Sequence, residues 1–78
     1  MRNVVQEILT QIDSRISIHD FRMVQGKENT NLIFDMALPA DQMNRQKEIK
    51  RQLDEQLNRQ EAVTYHTVIT FDMVSFNH

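Results

Sequence analysis

The chain has no cysteine, one glycine and one proline, and each scarcity removes a class of function. Without cysteine there is no disulfide, no thiolate zinc site and no thiol nucleophile. A single glycine is too few for a phosphate-cradling loop, and Ser14, Ser17 and Ser75 sit in no nucleophile-elbow context. Nor is there an excess of positive charge: nine Lys and Arg stand against eleven Asp and Glu, for a net charge of −2. Nucleic-acid binding normally needs a concentrated basic face, so this balance argues against it. No apolar run approaches the roughly 20 residues that cross a bilayer, and the N-terminus lacks the layout of a secretion signal. At 78 residues the chain is one small domain, 1–78. A chain of this size buries only about 60 to 65% of its unfolded surface, so a partner chain would add stability.

Hydrophobic period divides the chain into five elements. Val4, Val5, Ile8, Leu9 and Ile12 recur at helical spacing and predict an amphipathic helix over 3–13, with Asn3 placed to cap it. Residues 16–24 read as a strand of imperfect alternation. Polar residues 25–29 with Gly26 form a turn, and 30–38 alternates cleanly, so the two strands make a hairpin. Pro39 ends the second strand and Asp41 is placed to cap a helix over 42–59, whose narrow stripe is Met43, Ile49, Leu53 and Leu57. Lys50 with Asp54, Arg51 with Glu55 and Glu55 with Arg59 are spaced as (i, i+4) pairs. Residues 63–74 are rich in β-branched and aromatic side chains and predict a third strand. The fold class is therefore α+β: a ferredoxin-like α-β-β-α-β sandwich, its three-stranded sheet covered by two helices on one face.

Parity then assigns the two faces of the sheet. Leu32, Phe34, Ile69 and Phe71 must meet the helices, which leaves Asp35, Asp72, Thr70 and His66 on the opposite face with Ile33 and Val68. A face of mixed polarity suggests a binding surface. One such face offers no deep pocket, so an enzyme is not expected. Metal ligation is the remaining chemistry. His19, His66 and His78 have no short ligand spacing, and His78 is terminal. Strand parity nevertheless combines His19, Asp35 and Asp72, a set of imidazole and carboxylates suited first to zinc, with manganese or iron(II) as alternatives.

The run Ile18-His19-Asp20-Phe21-Arg22-Met23-Val24, then Gly26, then Thr30-Asn31-Leu32-Ile33-Phe34-Asp35, resembles the cytoplasmic domain of bacterial cation diffusion facilitators. That family is similar in its His-Asp-Phe/Leu-Arg signature and in a terminal Ile-x-x-Asp strand, here Ile69-Thr70-Phe71-Asp72. The order of elements matches over essentially the whole chain. The resemblance implies a homodimeric regulatory domain on the cytoplasmic side of the cell membrane, attached to a membrane domain and itself not inserted. It also implies divalent-cation sites near the dimer interface, with the signature His at His19, a terminal-strand ligand at Asp72 and a second-strand ligand at Asp35. Thr70 and Asn29 stand where some members carry His, so the ligand set is incomplete, with His66 or a partner residue left to complete it. Two alternatives accompany this reading: a metal-free dimerisation module of the same parent, and a free-standing small-molecule or metal sensor on the same fold.

Overall fold

The structure, a computed structural model, describes residues 1–59 and 64–74. Helix α1 spans Arg2–Ile12 and turns its apolar stripe inward, with Val5 and Leu9 fully buried and Ile8 and Ile12 packed beside them. Asn3 lies inside the first turn and Met1 is the N-cap residue, so the expected Asn3 cap does not form. The helix stops at Asp13, whose carboxylate accepts the backbone N–H of Arg15 at 2.9 Å, a side-chain turn that competes with further helix.

Strand β1 (Ser17–Gln25) and strand β2 (Asn29–Leu38) form the expected antiparallel hairpin. Gly26 donates its N–H to the Asn29 carbonyl at 2.7 Å, and a Cβ on Gly26 would sit 2.9 Å from that oxygen. Here glycine is required by close approach, not by left-handed backbone. Strand β2 then alternates without fault: Leu32, Phe34, Met36 and Leu38 are buried, while Asn31, Ile33, Asp35 and Ala37 face away.

The stretch expected as one helix over 42–59 is two. A 3-10 helix, Ala40–Arg45, leads into helix α2, Gln46–Leu57. Asp41 does not cap α2: it lies in the 3-10 segment and accepts from Arg15 at 3.1 Å, across the α1–β1 turn. Ile49, Leu53 and Leu57 of α2 are buried. Lys50–Asp54 and Arg51–Glu55 pair as expected, but Arg59 falls past the helix end, and Arg51 takes Glu48 as its second partner.

The crossover through α2 delivers strand β3 (Thr64–Met73) parallel to β2, giving the order β1-β2-β3. Tyr65, Thr67, Ile69 and Phe71 face the helices, and Thr64, His66, Val68, Thr70 and Asp72 face away. Val63 and His78 lie outside the described residues. Both helices pack on one face, around a core of Val5, Leu9, Ile18, Phe34, Met36, Leu38, Ile49 and Leu53. Thus the α+β sandwich read from the sequence is the architecture observed. Among the described residues no helix is long and apolar enough to cross a membrane.

Side-chain amides, one from the middle of α1 and one from the end of α2, bond to both sheet edges. On the β1 side, Gln6 donates to the Ile16 carbonyl at 3.0 Å and accepts from the Ile18 N–H at 3.2 Å. On the β3 side, Asn58 accepts from the Tyr65 N–H at 2.7 Å and donates to its carbonyl at 3.1 Å. Each amide thus takes the place of a neighbouring strand for about one residue. Below Tyr65, the buried Thr67 hydroxyl donates to Asp54 at 2.6 Å, and Asp54 also holds Lys50 at 2.7 Å, tying α2 to β3.

Candidate metal site on the open sheet face

The face turned away from the helices is built in rows across the three strands. His19 of β1 stands opposite Asp35 of β2, which stands beside Thr70 of β3. The next row holds Ser17, Ala37 and Asp72, with the small Ala37 in the middle. On the other side lies Arg22 with Ile33 and Val68. His19, Asp35 and Asp72 thus share one surface, as parity expected, and the structure puts Asp72 one row away from the other two. Diagonal neighbours of this kind have Cα atoms about 7 to 8 Å apart.

Between the His19 and Arg22 rows the register of β1 shifts by one residue. Asp20 and Phe21 together oppose Phe34, which makes a β-bulge with Asp20 at φ 55°, the left-handed region. The extra residue restores the burial pattern. Phe21 turns to the helix side and stacks on Phe34, ring centroids 5.8 Å apart and planes at 24°. Asp20 is the extra residue, and its carboxyl meets that of Asp35. Among the described residues Asp20 forms no ion pair with the nearby Arg22. An open depression of about 580 Å³ lies at the bulge, bounded by Asp20, Arg22, Ile33, Asp35 and Thr70.

Asp35 is the electrostatic focus. Its partial burial holds its pKa above the ordinary carboxyl value, the neighbouring Asp20 carboxyl and the charge of Asp72 push the same way, and His19 opposes them. His19 Nε2 lies 3.3 Å from Ser17 Oγ, along its own strand. Asp20 joins the expected trio as a fourth group. The signal for it was the failed alternation between Ile18 and Met23, which marks a bulge.

His66 does not complete the set within one chain. It stands beside Asn31, six residues up β3 from Asp72, which is about 20 Å of extended strand. Among the described residues no three His, Asp or Glu side chains converge closely enough to hold a metal ion as they stand. The donor types suit a divalent cation, and the gathered carboxylates would be relieved by one. The chain matches no family model, and no curated protein or solved structure is significantly similar to it.

Proposed function

We propose that this chain is the cytoplasmic regulatory and dimerisation domain of a divalent-metal efflux transporter, joined to a membrane domain and responding to zinc or a similar cation. One observation carries the reading: the open sheet face sets His19 opposite Asp35, with Asp20 at the adjoining bulge and Asp72 in the next row. The resemblance of the His19-Asp20-Phe21-Arg22 run and the terminal Asp72 strand to cation diffusion facilitators supplies the parent class. His19, Asp35 and Asp72 would hold the ion. A cation there removes the mutual repulsion of the carboxylates, and if it is held between two chains it favours the closed arrangement.

The metal-free dimerisation module is the second reading, favoured because no three ligands converge among the described residues. Calorimetric titration with zinc separates the two. We expect saturable binding below about 1 mM, weakened more by His19→Ala than by His66→Ala. A parent protein with no saturable binding in that range, or two variants that bind as the parent does, would leave only the metal-free module.

A further inference from the structure

Strand β3 is an edge of the sheet, and among the described residues nothing bonds to its outward backbone beyond Tyr65. Which groups point outward follows from two hydrogen bonds. Val74 donates its N–H inward to the Leu38 carbonyl at 2.7 Å, whereas Tyr65 directs both its N–H and its carbonyl to Asn58. In a parallel ladder the bonding side alternates along the strand. Residues of even number therefore bond to β2, and Thr67, Ile69, Phe71 and Met73 aim their backbone N–H and C=O groups away from it. Asn58 ends this free stretch at Tyr65. The opposite edge, on β1, is covered at Ile16 and Ile18 by Gln6 and by Arg2, which donates to the Ile18 carbonyl at 3.3 Å. The uncovered segment of β3 carries no lysine, proline or bulge, the usual devices that blunt an edge.

We propose that a second copy of this chain pairs with this edge, β3 against β3 antiparallel about a two-fold axis at Ile69, making one six-stranded sheet. This register pairs every outward residue from Thr67 to Phe71 and stops before Met73, which would face the partner's Tyr65, a residue that Asn58 of its own chain already occupies. Ile69 faces itself, and Thr67 faces Phe71 of the partner subunit, each pair exchanging two backbone hydrogen bonds. On the open face the same register sets Val68 opposite the partner's Thr70 and His66 opposite the partner's Asp72, twice by symmetry. Those even-numbered pairs are of the close kind, with Cα atoms about 4.5 Å apart, and an imidazole facing a carboxylate is favourable there. His66 and Asp72 are both exposed and neither is matched within its own chain, which is why a copy of the same strand suits the edge. Both helix layers stay on one side of the enlarged sheet, so the cores do not collide. The inference rests on the dimer in the reading above and not on its metal.

The test is sedimentation velocity of the 78-residue chain in chelator over a concentration series, with a charge swap. Parent protein dimerises; His66→Asp and Asp72→His each raise the dissociation constant about tenfold; the double exchange returns it to near the parent value. Because the chain has no cysteine, register is read by oxidation. Val68→Cys mixed with Thr70→Cys forms a cross-linked dimer, while neither variant does so alone. A monomer at every concentration overturns the proposal. So does a dimer that the swap does not rescue, or one in which Val68→Cys alone cross-links. Zinc calorimetry fails or succeeds independently of all three.

Discussion

Asn58→Ala removes a side chain that joins the end of α2 to the start of β3. Its amide donates to the Asp54 carbonyl at 2.9 Å and to the Tyr65 carbonyl at 3.1 Å, and accepts from the Tyr65 N–H at 2.7 Å. At about 0.5 to 1.5 kcal/mol net per hydrogen bond, three bonds give an upper range of about 1.5 to 4.5 kcal/mol. The site is half-buried, so water reaches some of the freed groups and the lower part of that range applies, about 1.5 to 3 kcal/mol. A chain of this length is stable by roughly 4 to 12 kcal/mol in all, so the loss is a large fraction. Urea unfolding followed by circular dichroism measures it directly. A 2 kcal/mol loss also lowers the melting temperature by about 8 to 16 °C. The neighbouring exposed Arg59→Ala is the control and stays within about 0.5 kcal/mol of the parent. If Asn58→Ala unfolds at the same urea concentration as Arg59→Ala, the amide is not a structural clasp and the argument for where the free edge begins loses its footing.

Two further perturbations follow from the same structure. Asp35→Asn is stabilising at neutral pH, because it removes a carboxylate that lies near those of Asp20 and Asp72. The folded state raises the Asp35 pKa, so it binds that proton more tightly than the unfolded chain does. Asp35 therefore lowers stability as pH rises above the ordinary carboxyl value of 3.8, and the advantage of the Asn variant disappears in acid below it; chemical unfolding at a series of pH values reads both limbs. Gly26→Ala drives a Cβ to 2.9 Å from the Asn29 carbonyl oxygen and costs about 1 kcal/mol, read as a lower urea midpoint with unchanged slope.

The fold was legible wherever burial alone selects the residue. Strand β2 sits between two neighbours and turns one face to the helices, so each second residue from Thr30 to Leu38 is buried and period 2 is written plainly. The buried pairs of α1 and α2 follow from period 3.6 in the same way. Capping was not legible, because a cap depends on which carboxylate or amide finds a partner first. Asp41 had the right type and position for an N-cap, but Arg15 reaches it from the preceding turn. Asn58 and Gln6 read as ordinary polar helix residues, and only the folded chain brings them to the ends of strands 7 and 10 to 12 positions away.

The candidate site shows the same division between what parity can and cannot fix. Parity alone put His19, Asp35 and Asp72 on one face, since each lies in a strand whose other face is apolar. It did not give their rows, because the offset of β3 along β2 is set by the length of the α2 crossover, and that offset lines Asp72 up with Ala37 and not with Asp35. Nor did it give Asp20, which reaches the face only because the bulge lets β1 bury Phe21 against Phe34. Packing and electrostatics are linked at this point. The apolar demand for a Phe21–Phe34 stack forces an extra residue into β1, and the residue it displaces onto the open face is an aspartate beside another aspartate. A carboxyl pair created by core packing exists whether or not an ion is present, so the charge that would attract a cation is built into the fold before any ion arrives.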